Sequence, residues 1–136
     1  MVDIDIGYEG SLRCQATHGP SGDQLKTDAP VDNHGRGEAF SPTDLVAGAL
    51  GTCMLTILGI MADRDGIDVT GAKASVQKEM STDTPRRISR LVVVIDIPLP
   101  ADHPDREKLE RGAIACPVKQ SLHPEIDLPV RFQWSG

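Results

Sequence analysis

Residues 41–66 read SPTDLVAGALGTCMLTILGIMADRDG, and this stretch decides the fold. Within it, residues 45–62 carry no charge over 18 positions, and Cys53 lies in their middle. Such a run fits a membrane span, a helix of a soluble core, or a helix that buries a reactive thiol. The residues around the run favour some of these structures over others.

A membrane span is the least favoured of the three. A helix needs about 20 apolar residues to cross a bilayer, and this run includes three glycines and two threonines. No Trp or Tyr flanks the run, and its ends carry acidic residues with Arg64 as their only cation. Little would therefore orient it in a membrane, and we expect no membrane segment.

The ends of the run favour a soluble helix. Ser41 suits the N-cap, with Pro42 at the first helical position, and Asp44 is placed to bond back to the cap N–H. Gly66 is typical of a helix C-terminus. A helix that is apolar on every side must be covered on nearly all of them, which a chain of 136 residues has little material to do. The pattern therefore indicates a second subunit.

The rest of the chain alternates between short strands and shorter helices. Alternation of apolar and polar residues, or a composition that suits a short strand, predicts strands over residues 2–8, 12–17 and 24–27. The composition of residues 28–40 predicts a loop. After the long helix we predict strands over residues 67–80 (interrupted at Gly71), 88–97 and 126–134, a helix over 105–115 and a helical turn over 118–122. Residues 88–97 contain an apolar run on both faces, which favours a central strand, and Pro129 favours an edge position for the last one.

This order of elements predicts an α+β fold. Hairpins at both ends of the chain favour mostly antiparallel sheets. The length suits one domain, and neither an internal repeat nor a linker divides the chain. We therefore predict a single domain over residues 1–136.

Charge and cysteine content narrow the partners and the compartment. The net charge is −6, and no run of Lys or Arg is interleaved with aromatic residues, which argues against nucleic acid as a partner. The N-terminus shows no basic segment followed by an apolar one, as secretory signals do. We expect a cytoplasmic location, a reducing compartment in which a cysteine pair is more often catalytic than structural.

Cys53 and Cys116 are the residues most suited to chemistry. Taken alone, Cys53 fits a small apolar residue of a core helix. Cys116 directly precedes Pro117. It therefore either caps a new helical turn, whose unpaired N–H groups favour a thiolate, or merely ends the preceding helix. Cys14 shares a strand face with apolar residues, and we expect it to be a packed core residue.

No motif for a metal, a phosphate or a serine nucleophile occurs in the sequence. The four histidines fall in predicted turns or loops, without a Cys-x-x-Cys or His-Glu-x-x-His spacing. HGRGEAF at residues 34–40 lacks the spacing of a phosphate loop, and no Gly-x-Ser-x-Gly is found. We expect neither a metal nor an organic cofactor.

Two motifs together resemble the OsmC/Ohr family, the osmotically induced and organic-hydroperoxide-resistance proteins. FSPTDLVAGALGTCM at residues 40–54 resembles the signature of the family's central helix, and ACPVKQSL at residues 115–122 resembles its second cysteine motif. Cys116 follows Cys53 by 63 positions. The order of strands and helices also agrees, so that the resemblance covers essentially the whole chain.

The resemblance implies an OsmC-like fold in an intertwined homodimer, whose antiparallel sheets wrap around the long central helices and whose two active sites lie at the subunit interface. It also implies a thiol peroxidase of oxidative-stress defence that reduces hydroperoxides, organic ones in preference to hydrogen peroxide. Cys53 matches the peroxidatic cysteine, which becomes a sulfenic acid. Cys116 matches the resolving cysteine, which closes a disulfide that a dithiol reductant then resets.

The resemblance further implies an arginine beside the thiolate, itself held by a glutamate early in the central helix. A free thiol is only about 3% ionised at pH 7, so such a partner is needed. Arg36, in the loop before the helix, is the closer positional match, and Arg13 is the alternative. Thr43 occupies the place of the glutamate, ten positions before Cys53, and departs from the family pattern.

Two functions of different classes remain open. One is the peroxidase, which acts through Cys53, Cys116 and Arg36. The other is a non-catalytic dimer of the same fold that binds a small hydrophobic ligand at its interface pocket and uses the cysteines as core residues. The peroxidase requires the two sulfur atoms to approach bonding distance, whereas the binding protein requires only a pocket and unreactive thiols.

Overall fold

The computed structural model describes residues 1–136, which form two compact units, residues 1–46 and residues 47–136. The first unit holds strands β1 (Ile4–Gly10), β2 (Arg13–His18) and β3 (Gln24–Asp28), a 3₁₀ helix (Val31–Asn33) and the start of helix α1 (Pro42–Arg64). The second holds the rest of α1, then β4 (Lys73–Met80), β5 (Ile88–Ile97), α2 (Arg106–Ile114), α3 (Pro117–Ser121) and β6 (Val130–Trp134). Two sheets and three α-helices confirm the predicted α+β class.

An antiparallel sheet of order β1–β2–β3 makes up most of the first unit. Successive side chains of a strand point to opposite faces, so the period of the sequence separates a polar face from an apolar one. The apolar face is open: Ile6 and Tyr8 are each 68% exposed. Contiguous apolar surface of this kind marks an interaction site in most soluble proteins.

The loop between β3 and α1 is closed by backbone hydrogen bonds. Asp28 N–H donates to the Phe40 carbonyl, and Gly35 N–H donates to the Pro30 carbonyl. Gly35 leaves no room for a side chain, because a Cβ there would overlap the carbonyl oxygen of Ala29. The segment predicted as a loop is therefore a loop with a defined shape.

Helix α1 begins with the predicted cap. Ser41 Oγ accepts a hydrogen bond from Asp44 N–H at 3.0 Å, and Asp44 Oδ2 accepts one from Ser41 N–H at 2.9 Å. This reciprocal arrangement is a capping box. Beyond Arg64, Gly66 has a φ of 69°, the left-handed conformation that commonly ends helices. Both predicted ends of the long helix are confirmed.

The second unit is built on a sheet of order β4–β5–β6, in which β5 is central, as its apolar run predicts. β4 and β5 are antiparallel, whereas β6 runs parallel to β5. The sheets are therefore mostly antiparallel, as predicted, and β6 is the exception. The connection through α2 and α3 returns the chain to the starting end of β5, and such a crossover produces a parallel pair. β6 lies at the sheet edge, as Pro129 predicts.

Two strands are shorter than the sequence predicts. Residues 67–72 form no strand, because the chain turns around Gly71, whose φ is 94°. β6 begins only at Val130, and Asp127 makes an isolated bridge to Arg90. In both segments the alternation of apolar residues continues beyond the hydrogen-bonded ladder, so the period alone does not mark the strand ends.

The core of the second unit lies between α1, β5 and α2. Its fully buried aliphatic side chains are Leu50, Met54, Leu58, Leu91, Val93, Ile95, Ile97, Leu109 and Ala113. These residues cover one face of α1 only, and Ile60 on another face is 49% exposed. By length and a mean hydropathy of 2.1, α1 also meets the criterion for a membrane span, which core helices of soluble proteins meet as well.

Candidate functional site

Helix α1 places Cys53 at the margin of the core of the second unit. Its neighbour Met54 is fully buried, whereas Cys53 is only partly buried. Cys53 packs against the cluster of buried residues that includes Cys116. The first candidate residue therefore lies at the edge of the cluster that holds the second, and it keeps access to solvent.

Cys116 lies between two helices. α2 ends at Ile114 with Ala115 as its C-cap, and α3 begins at Pro117 with Cys116 as its N-cap. The Cys116 sulfur accepts a hydrogen bond from Lys119 N–H at 3.5 Å. Of the two interpretations that the sequence left open, the cap of a new helical turn is confirmed.

The cap does not turn Cys116 into a thiolate. Burial raises the pKa of the Cys116 thiol and outweighs the Lys119 N–H, which lowers that pKa. The neighbouring Cys53 thiol raises the Cys116 pKa further. The cap N–H acts in the expected direction, but desolvation of the charge costs more than a long N–H···S bond returns, so the net effect is a raised pKa.

The structure thus brings the two predicted cysteines together. The two thiols are close enough for Cys53 to raise the pKa of Cys116, and both residues belong to the second unit. Cys116 is fully buried and holds its proton, whereas Cys53 is the thiol that an external molecule can reach. Two adjacent thiols of this kind can lose two electrons and two protons and form a disulfide.

The two candidate arginines lie in the first unit and are held differently. Arg36 is 83% exposed in the loop before α1, and its nearest carboxylate is Glu38, with Nη1 and Oε1 3.8 Å apart. Arg13 on β2 is 39% exposed. Its Nη2 lies 3.0 Å from Glu38 Oε1 and 3.6 Å from Asp28 Oδ2. Arg13 is therefore fixed by two carboxylates, and Arg36 is held weakly by one.

Asp28 and Glu38 are members of this charged cluster that the sequence analysis missed. Asp28 is buried at 1% exposure, and its Oδ2 accepts a hydrogen bond from Glu38 N–H at 3.0 Å. One signal was available: the hairpin places Asp28 directly opposite Arg13, and opposite charges in that register stabilise a sheet. Glu38 gives no such signal, because a loop folded back on itself brings it to Arg13.

The other residues singled out in the sequence form no further site. Thr43 belongs to the helix cap, with its Oγ1 3.2 Å from Ser41 Oγ. Cys14 lies on the apolar face of the first sheet, opposite Tyr8 and Thr27. It is only partly buried, so the expected packed core position is not reached within this chain. No group of three His, Cys, Asp or Glu residues is arranged to hold a metal ion.

Comparison with known proteins assigns these elements to a family. A family model described as OsmC-like protein matches residues 35–131, a range that includes α1 and both cysteines of the pair. The chain belongs to the OsmC family. A crystal structure of a protein from Psychrobacter arcticus 273-4, described as an osmotic stress induced and detoxification response protein, is 44% identical to it. That match covers 98% of this chain and 96% of the other, with a TM-score of 0.91.

More distant structures share the OsmC-like fold. An OsmC-like protein from Mycoplasma pneumoniae is 16% identical over 100% of this chain and 98% of its own, with a TM-score of 0.82. An organic hydroperoxide resistance protein OsmC from Legionella pneumophila is 14% identical over 98% and 96%, with a TM-score of 0.77. At such low identity the likeness extends to the fold alone. No curated protein matches the chain.

One feature of this OsmC-like chain differs from the family pattern described above. The position expected for a helix glutamate holds Thr43, which takes part in the cap. The carboxylates that hold an arginine come instead from the end of β3 and from the following loop, as Asp28 and Glu38. Thr43 and these two acids are therefore where the chain departs from the pattern that the family resemblance implies.

Proposed function

We propose that this OsmC-like protein is a thiol-dependent peroxidase that reduces hydroperoxides through Cys53 and Cys116. The observation that carries the proposal is that a partly exposed thiol packs against the buried cluster that holds a second, fully buried thiol. The stress and detoxification role ascribed to the relative from Psychrobacter arcticus supports it. The apolar helix around Cys53 favours organic hydroperoxides over hydrogen peroxide as substrates.

In the first step the Cys53 thiolate attacks one oxygen of the hydroperoxide ROOH. The S–O bond forms while the O–O bond breaks, the alkoxide leaves as the alcohol ROH after taking up a proton, and Cys53 becomes a sulfenic acid. Sulfur loses two electrons and the peroxide gains them. The raised pKa of Cys116 keeps that thiol protonated during this step.

In the second step Cys116 attacks the sulfenic sulfur of Cys53. The S–S bond forms, and the hydroxyl group leaves with the Cys116 proton as water. A dithiol reductant then reduces the disulfide by exchange and becomes a disulfide itself, which restores both thiols. The cycle needs neither a metal nor an organic cofactor.

The Cys53 thiolate needs a positive partner, and we assign this role to Arg36, with Arg13 as the alternative. Arg36 comes from the loop that the family resemblance indicates, and its exposed side chain is held by one long ion pair. Its positive charge is therefore little compensated by that carboxylate. Arg13 is already engaged by two carboxylates, so its charge is largely neutralised where it stands.

The proposal includes a cytoplasmic homodimer. The apolar face of the first sheet is open at Ile6 and Tyr8, and α1 exposes Ile60. Each square ångström of apolar surface removed from water contributes about 25 cal/mol, which provides the driving force for association. A second copy would cover such surfaces and would make α1 a core helix rather than a membrane segment. The net charge of −6 gives no reason to expect nucleic acid as a partner.

The test is the mass of the reduced protein after brief treatment with an equimolar amount of tert-butyl hydroperoxide. We expect a prompt loss of two hydrogen atoms, which non-reducing peptide maps assign to a Cys53–Cys116 bond. Cys53→Ser should abolish the loss, and Cys14→Ser, the matched control, should leave it unchanged. Comparison of Arg36→Gln with Arg13→Gln identifies the arginine that the reaction needs. Thiols that survive many equivalents would contradict the proposal and favour a ligand-binding protein.

A further inference from the structure

The position of Cys116 depends on helix α2. Cys116 follows the C-cap of α2 directly, and the short helix α3 follows Cys116 in turn. A disulfide tolerates little error, because its two Cβ atoms must lie about 3.5–4.5 Å apart and its dihedral angle must be near ±90°. The contacts that fix α2 in the second unit therefore influence how favourable the Cys53–Cys116 disulfide is relative to the two thiols.

Apolar side chains hold α2 on the core of the second unit, to which α1, the helix that carries Cys53, also contributes. Leu109 and Ala113 of α2 are fully buried. Gly112 lies against the flexible end of the Met61 side chain of α1, whose sulfur would overlap a Cβ at this position. These contacts anchor α2 on the core. Apolar burial is non-directional, however, so they leave α2 with some freedom to slide or to rotate.

Polar contacts among Arg106, Glu110 and Trp134, here called the polar clamp, restrict that freedom. Glu110 Oε1 accepts a hydrogen bond from the indole Nε1–H of Trp134 at 3.0 Å, and Arg106 Nε lies 3.5 Å from the same oxygen. The Arg106 guanidinium also lies over the Trp134 ring, 5.6 Å from its centroid. Trp134 in turn is paired with Ile97, so the clamp joins α2 to the sheet. Hydrogen bonds are directional and therefore fix the rotation of a helix as well as its distance.

We propose that Glu110 is a positioning residue for the disulfide between Cys53 and Cys116. Glu110 holds α2 in the one orientation that presents Cys116 to Cys53. This inference rests on the proposed function, because it concerns the disulfide of that cycle. A merely structural role would lower the stability of the protein and leave the equilibrium between the two thiols and their disulfide unchanged.

The test is that equilibrium, measured without any hydroperoxide. Reduced protein is equilibrated with mixtures of reduced and oxidised dithiothreitol, and the Cys53–Cys116 bond is quantified by peptide mapping after an acid quench. The protein dithiol and oxidised dithiothreitol exchange two electrons and two protons to give the protein disulfide and reduced dithiothreitol, so the reaction balances. For Glu110→Ala we expect an equilibrium constant lower by roughly tenfold, since α2 without this hydrogen bond has several orientations in the dithiol state and loses that freedom when the disulfide forms.

Three further variants make the test specific. Glu107→Ala removes an exposed acid of the same helix and should match the parent. Glu110→Gln keeps an oxygen that accepts from Trp134 and should stay within about threefold of the parent. Trp134→Phe removes the donor and keeps an aromatic ring, so it should repeat the loss seen in Glu110→Ala. If Glu110→Ala fails to fold, Trp134→Phe still tests the inference, because it removes the same hydrogen bond.

The outcomes separate this inference from the proposed function. Unchanged equilibrium constants in Glu110→Ala and Trp134→Phe, with a lower melting temperature, would overturn the inference and leave the peroxidase proposal intact. A parent protein that forms the bond with oxidised dithiothreitol and never with a hydroperoxide would overturn the peroxidase proposal, while the Glu110 effect would stand. A parent that forms no Cys53–Cys116 bond with dithiothreitol would overturn the inference.

Discussion

Cys53 and Cys116 are the same functional group in two different surroundings. Cys116 is sealed from solvent and its pKa is raised, whereas Cys53 lies at the margin of the core. A nucleophilic cysteine has to be ionised and accessible to the substrate. A resolving cysteine has to lie close to it and can remain protonated until the sulfenic acid forms. The burial of the two sulfur atoms thus supports the order in which we propose that they react.

Alkylation should separate the two thiols. When the reduced protein is treated with iodoacetamide from about pH 6 to about pH 9, Cys53 should be labelled at least roughly tenfold faster than Cys116. Because its pKa is raised, Cys116 should remain unlabelled beyond the pH at which a free thiol ionises, about 8.5. Peptide mapping gives both rates, and unfolded protein supplies the control in which they should converge. Equal rates in the folded protein would contradict the burial described for Cys116.

At the scale of single residues, the sequence predicts contacts between chain neighbours, such as a helix cap. It does not predict how deeply a side chain is buried. The cap at Cys116 follows from Pro117 beside it, a relation between neighbours in the chain. The rise in its pKa depends on packing against Cys53 and the core, which lie far away in sequence. For the same reason Asp28 was missed: its burial results from the loop that folds over it.

Among the elements, helix α1 has the clearest local sequence signals for where it begins and ends. The Ser41–Asp44 capping box and the left-handed Gly66 mark both of its ends, and each signal lies within one turn of the end that it marks. The pairing of β6 has no such local signal. Its direction is decided by the crossover through α2 and α3, so the one parallel pair in mostly antiparallel sheets occurs where topology rather than local pattern determines the result.

The capping box should contribute measurably to stability. Ser41→Ala removes the oxygen that accepts from Asp44 N–H, and Ser41 is only 1% exposed, so water replaces the bond poorly. We expect the free energy of unfolding to fall by about 1–2 kcal/mol in urea titrations. Asp44→Asn keeps the size of the side chain and loses its charge near the helix dipole, and should cost about half as much. A Ser41→Ala midpoint equal to that of the parent would show that the box does not stabilise the helix.

At the scale of the whole molecule, the chain leaves apolar surface that it does not cover. The sequence predicted uncovered apolar surface for α1, which is apolar on all sides. In the structure the core of the second unit covers one face of this helix. The open face of the first sheet was not foreseen, because a period of two shows which residues share a face and not whether anything packs on it. Its exposed large residues are Ile4, Ile6, Tyr8 and Leu25. These surfaces are the physical argument for a second copy of the chain.

A charge on that face should therefore separate the subunits. Ile6→Glu places a carboxylate where we propose that the partner packs, and burial of an unpaired charge costs several kcal/mol. Sedimentation velocity should show the parent at twice the 14.6 kDa chain mass and the variant shifted toward a single chain. Gln15→Glu adds the same charge on the polar face of the same sheet and should remain dimeric. If Ile6→Glu stays dimeric, or if the parent itself sediments as one chain, this face is not the dimer interface and the cover for the apolar surface has to be sought elsewhere.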